Sequence, residues 1–323
     1  MKKTPIVTLC ITTAACLAIA VLLLLVTGCA SEDQQPEPGQ PARLSLTIGT
    51  MPALETFPIF IAYDQGFFED EGLKVHLERF FNPRDRDIAF QTNEQIDGLV
   101  FDLVQLIVYQ EAGFDLVATT SSVGMASIVG AQGVYRIEDL QGNSVLMTSN
   151  TSMDYIIDRA LTSVNLTIND IVVDEVPALP TRLEMLLHGH AAGAVLPEPF
   201  VSMALEHELN LITTTAELGI NPFIFAFRRE VTKSNLEALQ AFYRAINRAV
   251  DFLNTAEREL FIDMLVETVG YPAHLRDSLA LPIFPHYAAP CAEVVQDVLN
   301  FTYSRGLLTR ELHVQEIIFD IRN

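Results

Sequence analysis

Thr148-Ser149-Asn150-Thr151-Ser152 sets five hydrogen-bonding side chains between a short run from Ser144 and the helical start Met153-Asp154-Tyr155-Ile156-Ile157. Hydroxyls and an amide at such a junction can cap the helix, and free N–H groups of its first turn can hold a polar or anionic ligand atom. Capping alone contributes about 1 kcal/mol. The stretch therefore reads both as a cap and as a candidate contact, with Thr148, Asn150, Thr151 and Ser152 as its ligand-facing members. Glu198 stands between Pro197 and Pro199 just after an aliphatic run, an unusual place for a carboxylate. It is expected either to accept hydrogen bonds from a ligand amine or to brace the chain there. Asp102, Ser121 and Ser122 close two other apolar runs in the same manner. Met51, Glu55 and Phe57 are expected to supply a remaining wall, with Met51 as an apolar floor.

Catalytic or metal chemistry has little to build on. His188-Gly189-His190 is the one close histidine pair. Residues at i and i+2 do not share a helical face, and no cysteine or acid is spaced to complete a zinc site. Ser121 and Ser122 lack a G-x-S-x-G elbow. No catalytic residue, metal or cofactor is expected. Arg84 and Arg86 lie in an NPRDRD turn interleaved with acids, which reads as a solvated loop.

The elements that must position these residues alternate. From Leu44 the chain predicts strands at 44–49, 75–80, 97–102 and 115–122, with helices over 57–72, 87–95 and 103–113 between them. The pattern restarts with strands at 144–148, 171–176, 192–197 and 209–215, helices from about Ser152 and over 182–190, and a return strand at 223–230. Helices then dominate: 234–254, 256–270 and 292–306. Strands alternating with helices of this length argue for βαβ units in an α/β fold. In open sheets of this kind ligands sit beyond the carboxyl ends of the strands, where the residues above fall. The two blocks share a phrase: NEQIDGLVFD at 93–102 and HGHAAGAVLPEPF at 188–200 each put a polar turn before a buried strand.

Before these blocks come Lys2, Lys3 and an apolar run from Ile6 to Val26. A basic start, an apolar middle and small residues at the end form the layout of a secretory signal. The run is long enough to span a membrane, so an uncleaved helix and plain secretion stay open. Val26-Thr27-Gly28-Cys29 resembles a bacterial lipobox, which implies a lipoprotein signal peptide over 1–28 and acyl chains on Cys29. Residues 29–43, rich in Gln, Pro and Glu, lack the apolar area to offset chain entropy and read as a flexible tether. Cys10 and Cys16 would leave with the signal, so Cys291 remains alone, expected as a buried thiol with no internal disulfide.

Losing Lys2 and Lys3 would take the formal charge from −21 to −23, a balance that repels nucleic acid. About half the residues are hydrophobic, ample for a large core, at a length where chains usually divide.

Three phrases then carry a family resemblance. PALETFPIFIAYDQGFFEDEGL (52–73) is similar to a strand, loop and helix ending in G-Y-F-x-x-E-G-L. Leu140-Gln141-Gly142-Asn143-Ser144 with the turn at 148–152 is similar to an L-x-G-K strand and the helix start after it. Gly189 to Phe200 is similar to G-x-x-D-A-A-x-x-x-E-P. Together they resemble the substrate-binding proteins of ABC importers for nitrate, sulfonates, taurine and thiamine-pyrimidine precursors. The resemblance implies a two-lobed periplasmic-binding-protein fold (type 2), each lobe a mixed or parallel sheet flanked by helices, with a helical C-terminal tail. Lobe 1 would be 44–127 plus 222–323 and lobe 2 would be 128–221. It implies a monomer in the bacterial cell envelope, exported and held by a lipid anchor at the periplasmic or outer face. Such a protein captures a small organic solute, such as a heterocyclic vitamin precursor or a sulfonate-like compound, and delivers it to a permease and its ATPase. A sensor lipoprotein, or an enzyme of this fold acting on a cofactor precursor, is the alternative. Departures bear on the ligand: Thr50 and Thr56 stand where the pyrimidine-precursor branch has tryptophan and histidine, and Ala192 replaces an aspartate. No basic residue other than Arg84 and Arg86 faces these loops, which favours a neutral or cationic organic solute over nitrate.

Overall fold

β3 (Gly98–Asp102, GLVFD) and β8 (Gly193–Pro197, GAVLP) are apolar along nearly their whole length and sit at the centres of two five-stranded sheets. A strand covered on both faces needs such a run rather than alternation. The computed structural model describes residues 44–81 and 83–322; the expected signal peptide, Cys29 and tether lie outside them.

In the first sheet β1 (Leu44–Thr50) runs parallel to β2 (Leu73–Arg79) and to β3, and β10 (Phe223–Arg228) lies antiparallel between β3 and β4 (Leu116–Ser121). In the second, β6 (Ser144–Met147) is parallel to β7 (Val172–Glu175) and to β8, while β5 (Ala126–Gly130) lies antiparallel between β8 and β9 (Asn210–Thr214). Each sheet is therefore mixed. The chain passes from the first to the second through 122–125 and returns through 215–222.

Twelve helices lie among the described residues. α1 (Phe57–Asp64), α2 (Phe67–Asp70), α3 (Pro83–Thr92) and α4 (Leu103–Glu111) belong to the first block. α5 (Ser152–Ser163), α6 (Leu179–Leu187) and α7 (Phe200–Glu206) belong to the second. α8 (Arg229–Ser234), α9 (Leu236–Thr255), α10 (Ile262–Val269), α11 (Ala292–Ser304) and α12 (Val314–Ile317) form the tail. The amphipathic α9 buries an unbroken stripe from Ala238 to Leu253 against α1 and the first sheet, where Phe242 stacks on Phe68 at 5.5 Å and meets Phe227 at 6.0 Å. α4 and α11 cover the other face through Leu103, Leu106, Ile107, Val295 and Phe301.

Three expectations need correction. Residues 83–92 form a helix rather than a solvated turn, and Arg86 on it is buried. β5 and α7 are elements the sequence reading leaves out; ASIVG is enclosed on both faces, so it has no period to betray it. Cys291 is exposed, because it precedes the first turn of α11 at the surface, where its thiol donates to Glu293.

Gly98 opens β3 where the backbone of β10 comes close. A Cβ there would lie 2.5 Å from the Phe227 ring and 2.9 Å from the Ala226 carbonyl oxygen. Gly98→Ala is expected to destabilise the protein by about 1–3 kcal/mol, read as a lowered urea midpoint at unchanged slope.

Candidate functional site

β1 and β3 pair only at Ile48↔Gly98 and Gly49↔Leu99, and β6 and β8 only at Val145↔Gly193 and Leu146↔Ala194. Beyond these pairs the strands part, and an arginine enters each gap. Arg86, the fourth residue of α3, donates to the Val100 carbonyl at 3.3 Å, to Gln105 at 3.1 Å and to Asp87 at 2.9 Å, with the Met51 sulfur at 3.6 Å. Its guanidinium lies 4.8 Å from the centre of the Phe101 ring. Arg182, the fourth residue of α6, donates to the carbonyls of Val195 and Val176 and to the Thr148 hydroxyl. Val100 and Val195 are the third residues of their strands, and Met51 and Thr148 each follow the first strand of their block. The two blocks thus carry the same device. Burial depresses the Arg182 guanidinium to about 10, opposed by Glu175, so it stays charged at neutral pH.

Asp102 ends β3 and caps α4, accepting the Gln105 N–H at 2.9 Å. Ser152, first residue of α5 in the second block, lies near enough to act on its carboxyl. Asp102 is 8 % exposed. Burial pushes its carboxyl up to about 6; the Gln105 N–H, the Arg86 charge and Ser152 pull it down, and Asp87 adds to the rise. Two helix N-termini therefore converge on one carboxylate, each contributing a partial positive charge.

A second junction forms at Tyr271, which follows α10. Its phenol is raised by burial, by Glu198 and by Glu55. Glu198 follows β8 in a cis Glu198-Pro199 bond and accepts the Ser202 N–H at 3.3 Å. Glu55 lies in a short turn, Leu54–Thr56, after β1. Part of its side chain stays accessible, and desolvation raises its carboxyl against its own backbone N–H and Arg86. Desolvation raises Glu198 as well. The Tyr287 hydroxyl donates to the Glu55 carbonyl at 3.3 Å, and its ring lies 6.0 Å from Tyr243. Tyr243 shares a 2.6 Å hydrogen bond with Thr119, beside the fully buried Thr120.

The structure gathers Met51, Glu55, Asp102, Thr148, Ser152 and Glu198 at the carboxyl edges of the two sheets. Thr151 caps α5 by accepting the Met153 N–H, and Asn150 is exposed with φ 60°. Ser121 and Ser122 sit at the first passage between the sheets, where their N–H groups donate to Ala288 and Phe223. Phe57 is the exception: the first turn of α1 points it into the core against Phe261, and it is fully buried. This corrects its assignment to a ligand wall. Thr56 donates to Met51 and Ala53 carbonyls and so holds the turn. His188 and His190 are exposed. Sequence reasoning missed Tyr271, Tyr287 and Arg182. The arginines did leave a signal: Arg86 stands twelve residues before Gly98 and Arg182 eleven before Gly193, each shortly after a proline.

Because the native Asp102 carboxyl holds its proton more tightly than the unfolded one, stability should fall as pH rises from about 4 to about 6. The cost reaches about 3 kcal/mol above that window. Asn caps helices as well as Asp does. Asp102→Asn is therefore expected to exceed the wild type in stability at about pH 7, with the difference vanishing near pH 4. Urea titrations across this range check it; a pH-independent difference would contradict the assignment.

Comparison with solved structures places this geometry. The E. coli periplasmic aliphatic sulphonate binding protein SsuA superposes with a TM-score of 0.73 at 20% identity, covering 85% of this chain and 97% of that one. The alkanesulfonate-binding protein SsuA from Xanthomonas axonopodis pv. citri, bound to MOPS, gives 0.72 at 18% identity, covering 87% and 100%. The periplasmic nitrate-binding protein NrtA from Synechocystis PCC 6803 gives 0.70 at 14% identity, covering 86% of each chain. The fold is that of periplasmic binding proteins. No curated protein matches the sequence significantly. The family model described as NMT1-like matches residues 39–266, and the chain is a member of the NMT1-like family.

Proposed function

We propose that this protein is the solute-binding component of an ABC importer, capturing a small organic solute between two lobes and delivering it to a permease. The reading is carried by one observation: polar residues stand at the carboxyl edges of both sheets, Asp102 at the end of β3 and Glu198 just after β8. Ligands of open α/β sheets bind at such edges. Family membership and the likeness to proteins named for binding sulfonates and nitrate support it. The two sheets would be the cores of two lobes, with lobe 1 ending before β5 rather than at 127 and resuming at about 222. The pairing of Ala126 with Pro197 draws the first changeover back into 122–125. Thr148, Asn150, Thr151, Ser121 and Ser122 remain proposed contacts of the second rank, reached as the lobes close about the solute.

We also propose that the protein is exported and lipid-anchored through Cys29, as a monomer, on the strength of the sequence around that residue. Several acyl chains anchor stably where one does not.

Two outcomes are expected. In a thermal-shift and calorimetric screen of residues 42–323, one solute class should stabilise the protein, by about 2.7 kcal/mol at a hundred times its dissociation constant. A broad metabolite panel without any shift would sink the reading. Cys29→Ala should move the full chain from the membrane fraction to the soluble one; fractionation as an integral protein would instead support a retained helix.

A further inference from the structure

Neighbouring residues of α5 belong to different cores. Ile156, Ile157, Ala160 and Leu161 pack in the second block, whereas the fully buried Tyr155 joins the cluster of the first block that holds Leu103, Leu106, Val298 and Phe301. Its ring meets Phe301 of α11 edge-on at 5.5 Å, and its hydroxyl donates to Asp297 of the same helix at 2.7 Å. Arg159, one turn further along α5, donates to the other Asp297 oxygen at 3.0 Å, so one carboxylate takes both donors. Arg305, just past α11, reaches back across the same flank and donates to Asp154 at 2.9 Å and to Asp158 at 3.1 Å. Asp154 is buried, and its second oxygen accepts the Asn150 N–H at 3.2 Å. The first block thus holds, through Arg305 and Asp154, the turn at 148–152. His274 and Glu206 also pair between the blocks, but that pair is exposed, and exposed pairs contribute little.

We propose that the flank between α5 and α11 is a clasp that keeps the two blocks at one angle without any solute, with Tyr155 and Asp297 as its pin and Arg305 and Asp154 as its link to the turn at 148–152. Parting the blocks at this flank would draw a buried aromatic ring out of the first core and strip Asp154 and Asp297 of their donors, and the two penalties fall together. Motion of one block on the other is then confined to a rotation about this flank, in which α5 stays against α11. The four side chains are positioning residues. That the turn they hold serves a solute rests on the solute-binding reading above; the clasp itself does not.

The test uses residues 43–323, which form a compact unit of their own, with no solute added. One spin label goes on Cys291, the one cysteine of this stretch and exposed, and a second on Glu184→Cys, an exposed position of α6 in the second block. Pulsed electron resonance then reads the distance between the blocks. The otherwise unchanged protein should give a single narrow distance. Tyr155→Phe keeps the buried ring and removes only the hydroxyl, while Asp297→Ala removes the shared carboxylate; each should add a second, displaced population, larger for Asp297→Ala. Arg305→Gln should speed hydrogen exchange of the 148–152 amides roughly tenfold or more, with the amides of β8 still protected. A broad distribution in the unchanged protein overturns the clasp, as does a single unchanged distance in both Tyr155→Phe and Asp297→Ala, even if their melting temperatures fall. Unaltered exchange in Arg305→Gln overturns the link to the turn. Because no solute enters these measurements, their failure leaves the solute-binding reading intact, and an empty solute screen leaves the clasp standing.

Discussion

A buried guanidinium in each half of the molecule is the contact on which the binding edge depends. Parallel pairing between β1 and β3, and between β6 and β8, stops after two residue pairs. Past that point the strands part, and the Val100 and Val195 carbonyls lose a ladder partner on that side. A buried acceptor left unmade costs about 1–3 kcal/mol. Arg86 and Arg182 fill the gaps with donors fixed in a planar fork. The same side chains tie down the loop after the first strand of each block, at Met51 and at Thr148. The sheet can open at its edge because an arginine closes it again.

That solution has an electrostatic consequence. Charges that a binding site could use to hold an anion are turned toward the backbone and desolvated, and the Asp102 carboxylate accepts what remains of the positive field at the start of α4. Desolvation also raises the carboxyls of Glu55 and Glu198 at the same edges.

Between the sheets a second set of contacts fixes how α5 meets α11. Tyr155 leaves the core of its own block to donate to Asp297 at 2.7 Å and to meet Phe301 edge-on at 5.5 Å. Arg305 of the loop after α11 bonds Asp154 and Asp158, and Arg159 bonds Asp297. Several charges sharing partners in a part-buried network hold geometry better than isolated surface pairs do. With α5 held at this flank, its first residue Ser152 stays within reach of Asp102.

Much of this was legible in the residues. Alternating runs predicted most strands and helices, the repeated phrase before β3 and β8 revealed two related blocks, and the resemblance of three phrases pointed to the fold. Glycine, proline and hydroxyl residues at strand ends marked Met51, Glu55, Asp102, Thr148, Ser152 and Glu198, because local chain chemistry decides where a turn or cap must fall. Phe57 was misread, since a helix's first turn can face core or cleft and only packing chooses. β5 escaped notice because burial on both faces erases its period. Arg86, Arg182, Tyr271 and Tyr287 acquire their roles from partners distant in the chain: Val100 and Val195 across a sheet edge, Glu198 and Glu55 across the junction. Sequence alone determined the elements, the acidity of the chain and the strand ends that bear polar groups. Which arginines are buried against backbone carbonyls, and which carboxylates are desolvated, only the tertiary structure decided, because desolvation and hydrogen bonding depend on neighbours that the fold brings together.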